Sequence, residues 1–322
     1  MLSRTADHLF WMARYTERAE NTARMLDVTF QTSLLPQSEE SAEQGWRAVL
    51  GISELQNIYD EKYEKIRPND VINFMINAPE NPSSLAACLT AARENARAVR
   101  GALTTEVWET QNATWLEMKR MLSEPMSEPM STQDPSVFLE WVKYRSHLSR
   151  GVAIGTMLRD EAFSFVRLGT FLERADNTAR MLDVKYQNQD DKGITVEESQ
   201  FDYYYWAAIL RSVSAFEVYR KVYRDVITPE RVAELLVLRV DMPRSLHACM
   251  EAVVCNLKEL GNKSSADTER LAGKMLAELQ FGRIDEVLEA GLHDYLKRFF
   301  KQIFELGNGI SRDFLVPLNE GM

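Results

Sequence analysis

The sequence predicts an all-α fold, a helical bundle built from an internal duplication of about 160 residues. Three observations carry that prediction. Apolar residues recur with helical period, and no stretch shows the period-two alternation and β-branched enrichment of a strand. Residues 17–28, Glu-Arg-Ala-Glu-Asn-Thr-Ala-Arg-Met-Leu-Asp-Val, return at 173–184 with one change, Glu20 against Asp176. No proline lies between Pro135 and Pro229, which suits long uninterrupted helices.

Taken in order, the pattern predicts a helix over 2–31, a loop near Pro36, and a second helix over 39–63 that buries Trp46, Val49, Leu50 and Leu55, with Pro68 closing the segment. A short apolar piece, 71–76, precedes Pro79 and Pro82. Ser83 or Ser84 then caps a helix through Ala91, Ala96, Val99 and Leu103 that extends towards Met121, with a kink at Gly101. Ser-Glu-Pro-Met occurs twice in tandem from Ser123 and Pro135 follows, so residues 123–135 read as the linker between a first half, 1–122, and a second half, 136–322, that share one core. The second half is expected to hold helices over 136–154, 158–187, 196–226, 264–280 and 284–308. Trp206-Ala-Ala-Ile-Leu answers Trp46-Arg-Ala-Val-Leu, and Pro243-Arg-Ser-Leu-His-Ala-Cys answers Pro82-Ser-Ser-Leu-Ala-Ala-Cys. The repeat therefore extends well beyond one motif.

At about 100° per residue the repeated helix has distinct faces. Met12, Tyr15, Ala19, Ala23 and Leu26 make an apolar stripe, and Arg14, Glu17, Arg18, Asn21 and Arg24 make a polar face mixed with Phe10, Met25 and Val28. Glu20 and Asp27 fall on the remaining side and read as water-facing acids, Glu20 being spaced for an i,i+4 pair with Arg24.

Composition narrows the partners. A formal charge of -10 argues against nucleic acid, and no apolar run approaches the roughly 20 residues of a membrane span. Cys88, Cys249 and Cys255 lack the spacing of a zinc site or disulfide framework, which together with the absence of a signal-peptide core places the protein in the cytoplasm. Cys88 and Cys249 read as small core residues. His8, His147, His247 and His293 are scattered, with no metal-ligand spacing, and no glycine-rich phosphate loop can be written, so neither metal nor cofactor is expected. The aromatic run 201–206 reads as core and interface rather than a base-stacking box.

The Glu-Arg helices, the Pro-Ser-Leu helix starts and the run Ala-Arg-Glu-Asn-Ala-Arg at 92–97 together make the chain resemble the bacterial alpha-E family, a helical domain named for its Glu-Arg motif. The likeness covers nearly the whole chain. Genes of that family keep company with circularly permuted ATP-grasp ligases and transglutaminase-like cysteine peptidases, so the resemblance implies a pathway that makes, modifies or cuts amide bonds, with those two proteins as the expected partners. Thr170 stands where the first copy has Arg14, and the basic run of the first half has no counterpart, so two equivalent sites are not expected.

Two constellations are candidates for function. Glu17-Arg18 and Glu173-Arg174 either line a pocket, with arginine forks for a carboxylate or phosphate and a glutamate as base, or pair reciprocally across the two copies to fix their register. Arg93, Arg97 and Arg100, spaced i, i+4, i+7 beside Asn95, form a basic ridge for an acidic peptide or an acyl phosphate; alternatively they neutralise acidic surface by pairing with Asp7, Glu17 or Asp27. The expected binding residues are thus Arg14, Glu17, Arg18, Asn21, Arg93, Asn95, Arg97 and Arg100, with Glu173, Arg174, Asn177 and Arg180 as the structural partner. No residue is assigned a catalytic role. The leading expectation is a non-catalytic or accessory component that binds a partner ligase or its peptide product, in an ATP-grasp-linked pathway of amide or peptide bond formation. The alternative is an enzyme acting on an amide or peptide with Glu17 or Glu173 as base.

Overall fold

The computed structural model describes residues 1–36, 38–123, 135–187 and 198–316, and side chains within 185–202 are left aside. The tandem Ser-Glu-Pro-Met repeat beyond Ser123, and residues 188–197 with the start of the helix expected over 196–226, lie outside the described residues. Fifteen α-helices and one 3-10 turn are described, and no strand occurs among the described residues. The chain is all-α, and it divides into two compact units, Trp11–Leu158 and Met1–Phe10 with Arg159–Met322.

Helix α1, Ser3–Ser33, carries the first Glu-Arg copy. The unit Trp11–Leu158 then adds α2 (Glu39–Ile52), α3 (Gln56–Asp60), α4 (Pro68–Asn77), α5 (Leu85–Ala98), a 3-10 turn (Arg100–Ala102), α6 (Thr105–Ser123) and α7 (Ser136–Thr156). In it α5 packs on α4 and α6, and α6 packs on α7. The other unit holds α8 (Glu161–Gln187), α9 (Glu198–Ser212), α10 (Phe216–Tyr223), α11 (Pro229–Val237), α12 (Leu246–Leu260), α13 (Ala266–Phe281), α14 (Ile284–Glu289) and α15 (Leu292–Phe314). There α8, with the second Glu-Arg copy, lies along α12 and α15, and α13 packs on both of those.

The long helices expected over 39–63, 84–121, 196–226 and 284–308 are each broken. After α2, Glu54 adopts φ 56°, its N–H bonding Gly51 O, while Leu55 N–H reaches back to Leu50 O at 2.9 Å. After α9, Ser214 takes φ 55° and Ala215 N–H reaches Leu210 O at 2.7 Å. These are left-handed helix stops of the Schellman kind, usually made by glycine and here made without it. Val99, with φ -120°, ends α5, so the single helix expected through Leu103 becomes two antiparallel neighbours. Gly291, at φ 84°, separates α14 from α15. Pro68 opens α4 at its first turn, where a missing N–H costs nothing, rather than closing a segment.

Local devices recur in the two units. Ser84 and Ser245 cap α5 and α12, accepting from Ala87 N and Ala248 N. Tyr59 and Tyr219 donate to Lys65 O at 3.1 Å and Val226 O at 2.8 Å. Burial drives the Tyr59 phenol up to about 12, so it stays a donor across the physiological range. Trp46 and Trp206 are fully buried, as are Cys88 and Cys249, which act as small core residues.

Candidate functional site

The first Glu-Arg copy is fixed by α6 and α7. Gln111 on α6 donates to Thr16 at 3.4 Å and to Ser149 at 2.8 Å, and Ser146 on α7 donates to Thr16 O at 3.4 Å. Those buried bonds place α7 over the acidic face of α1. Arg150 on α7 donates from Nη1 to Glu17 at 3.0 Å and also to Glu20. Arg24 donates from Nε to Glu20 at 2.9 Å. His147 stands between the two guanidiniums, with Nε2 2.9 Å from Arg24 and Nδ1 2.9 Å from Arg150; a neutral imidazole accepts at only one of its nitrogens. Lower on the same helix pair Lys143 meets Asp27 at 2.6 Å.

Two expectations are corrected by this packing. Glu20 was placed towards water and is 0% exposed, because α7 covers that side of α1; its i,i+4 pair with Arg24 is present. Asp27 is half-buried rather than free in solvent. The sequence reading treats His147 only as a scattered histidine and gives Arg150 and Lys143 no role, although 143, 147 and 150 fall on one helix face and 17, 20 and 27 on another. Matching those two stripes would have suggested the pairing. Of the other expected residues, Arg14 lies over the Trp11 ring at 4.9 Å, Arg18 over Tyr15 at 5.6 Å, and Asn21 is buried.

In the second copy Glu173 and Arg174 are buried, and Arg174 lies over Phe171 at 5.1 Å. Asn177 is half-buried, and Arg180 bonds Asp176 at 2.9 Å and covers Phe300 of α15. Thr178 donates to Arg244 O at 2.9 Å and His293 meets Asp183 at 2.5 Å, so the turn leading into α12 and the start of α15 hold this helix by its polar groups as well as its apolar ones. A cavity of about 210 Å³ between α12 and α13 is lined by Val254, Leu257, Leu276, Lys258 and Glu269 among others, and no motif residue reaches it.

The basic ridge is real for two arginines and redirected for the third. Arg93 and Arg97 share a face of α5, whereas Arg100 lies in the 3-10 turn beyond the helix end. Arg93 donates to Asn112 on α6 at 3.1 Å and pairs with Glu94, which Arg97 meets at 2.6 Å. The Arg93 guanidinium, and behind it that of Arg97, hold the Glu94 carboxyl below the usual range. Asn95 turns back to its own helix at Ala91 O. Arg93 also sits 4.6 Å from the Trp115 ring centre and 5.5 Å from that of Trp108. Arg100 covers Trp108 at 5.4 Å and Lys119 covers Trp115 at 4.9 Å. Cations and indoles thus alternate along the α5–α6 seam. Trp108, Asn112, Trp115 and Lys119 were not singled out, yet their i, i+4, i+7, i+11 spacing marks one stripe of α6.

Among the described residues no helix is long and apolar enough to cross a membrane. The three cysteines are free thiols. A family model described as a predicted alpha-helical domain with a conserved ER motif, Alpha-E, matches residues 1–315. Uncharacterized proteins of Mycobacterium bovis and of Mycobacterium tuberculosis strain CDC 1551 are each 24% identical over 304 residues, 89% of this chain and 33% of theirs. A further one from strain H37Rv is 23% identical over the same span. The chain therefore spans about a third of the length of the curated relatives it matches. No solved structure matches it.

Proposed function

The chain belongs to the Alpha-E family, and from that premise we propose that it is a non-catalytic, partner-binding component of a cytoplasmic, ATP-grasp-linked pathway of amide or peptide bond formation. What supports the non-catalytic reading is the state of the motif carboxylates. Glu17 is 1% exposed and accepts from Arg150, and Glu20 beside it accepts from both Arg150 and Arg24. A general base must come within hydrogen-bond reach of the proton it removes. Both carboxylates are buried and engaged by arginines within the fold, which suits a role in holding α1 to α7. The link to ligases rests on the genomic company of the family.

The test is to co-express the chain with the circularly permuted ATP-grasp ligase of its own genome and pass the mixture over gel filtration. Co-migration, retained by Glu17→Gln wherever that variant folds, is the expected result. Separate elution of the two proteins, or hydrolysis of a peptide amide by the purified chain with loss of that activity in Glu17→Gln, overturns the reading.

A further inference from the structure

We propose that the α5–α6 seam is a docking surface for an acidic peptide segment of a partner protein, read by Arg97, Arg100 and Lys119 on a frame of Trp108, Arg93 and Trp115. This rests on the reading of the chain as a partner-binding component and supplies the surface that reading lacks.

The frame comes first. Arg93 is anchored by Asn112, by Glu94 and by both indoles, so it positions the rings more than it meets solvent. The outer cations differ. Arg100 and Lys119 are exposed, and each lies against an indole face. A ring contact leaves N–H donors of a guanidinium or ammonium directed outward while restricting the stem, which lowers the ordering cost of binding. Arg97 is 64% exposed and shares Glu94 with Arg93.

The charge is local and mostly of one sign. At 100° per residue Glu106 and Glu117 fall roughly opposite Trp108 around α6 and Glu109 about a quarter turn away, and Glu94 of α5, paired with Arg93 and Arg97, is the acid that lies within the seam. A cationic strip of this kind on a chain of net charge -10 calls for an acidic ligand, and the surrounding negative field disfavours a long polyanion. Base stacking is disfavoured too, since it needs a free aromatic face and each indole here carries two cations. What remains open to a ligand is carboxylate recognition by guanidinium and ammonium. Trp108 and Lys119 stand about 16 Å apart along α6. That is the reach of about five residues of extended chain. A short peptide run with acids at both ends spans it, and tryptophan and arginine are among the residues most enriched at the hot spots of protein interfaces.

Fluorescence anisotropy of a fluorescein-labelled ten-residue polyglutamate, with polyglutamine as control, tests this on the full chain at low salt. The chain should bind polyglutamate and not polyglutamine. Arg100→Gln/Lys119→Gln should weaken binding at least tenfold with an unchanged melting temperature, while Lys263→Gln/Arg270→Gln, exposed cations of the other unit, should leave it within twofold. Absence of binding, equal effects of the two double variants, or tighter binding of a single-stranded DNA decamer would overturn the proposal. Polyglutamate binding by a chain that fails to co-migrate with the ligase would sink the pathway and leave the surface. Co-migration undiminished by Arg100→Gln/Lys119→Gln, with no polyglutamate binding, would do the reverse.

Discussion

Arg150 Nη1 lies 3.0 Å from Glu17 Oε2, joining residues 133 apart in sequence, and the same nitrogen serves Glu20. One guanidinium thus meets two carboxylates that the fold has removed from water. Such a pair adds little net stability relative to an apolar replacement of both partners, because desolvation offsets attraction, but removal of one partner is costly.

Arg150→Ala should therefore destabilise the protein by about 3 kcal/mol, the lower end of what breaking a buried pair costs, since the arginine keeps some exposure. Urea unfolding of the two proteins measures it. A loss below about 1 kcal/mol would mean that Glu17 and Glu20 are adequately neutralised without Arg150.

The helical class and most of the buried positions were legible because a period of 3.6 survives in any amphipathic helix, and the duplicated motif drew attention to α1 and α8. The helix breaks were not. Glu54 and Ser214 adopt left-handed backbone without glycine or proline, so no punctuation marks the ends of α2 and α9. The site was half legible for a related reason. Glu17 and Arg93 were visible as motif and ridge, but Arg150 belongs to a different helix, and which helices meet is a tertiary fact. Glu20 went astray because one helix wheel shows which face is polar and not whether another helix will cover it.

The serine caps of α5 and α12 separate a simple device from a doubled one. Ser84 Oγ accepts from Ala87 N, whereas Ser245 Oγ accepts from Ala248 N and also donates to Arg239 O at 2.5 Å. Loss of a cap costs about 1 kcal/mol, and loss of the second bond, to a carbonyl that still accepts from Met242 N at 3.4 Å, adds about 0.5–1 kcal/mol more. Ser245→Ala should thus be the more damaging of the two alanine variants in denaturant melts. Equal effects would show that water replaces the Ser245 hydroxyl at Arg239.

Close approach of α15 to α13 depends on Gly309. A β-carbon there would run into Thr268, whose hydroxyl is engaged with Asp313 Oδ2 at 2.6 Å and is not free to swing away. Gly309→Ala should lose about 1–3 kcal/mol, the usual cost of overpacking, against the gain alanine normally brings to a helix. Thr268→Ala in the same background should recover part of the loss by removing the hydroxyl that the new β-carbon meets. A stabilised Gly309→Ala would place the two helices farther apart than the contact implies.

Glu94 is the acid that divides the basic seam, and its titration gives the last prediction. Its carboxyl is held down chiefly by the hydrogen bond from Arg93 and then by Arg97. A depressed folded pKa means that the interaction stabilises the fold above the ordinary glutamate value and is lost as pH falls through the lowered one. The side chain is 41% exposed, so solvent screening keeps the effect on global stability small, and the place to look is the carboxyl itself. In carbon-detected NMR of glutamate-labelled protein the Glu94 resonance, assigned by its absence in Glu94→Gln, should titrate below the unperturbed value of about 4.3. The same substitution frees Arg93 and Arg97 from their shared acid. If the seam docks an acidic segment, Glu94→Gln should bind polyglutamate more tightly than the parent protein, since one like charge facing the ligand has gone. Weaker binding by Glu94→Gln would mean that the acid is needed to hold the arginines in place, and that their order matters more to the surface than their net charge.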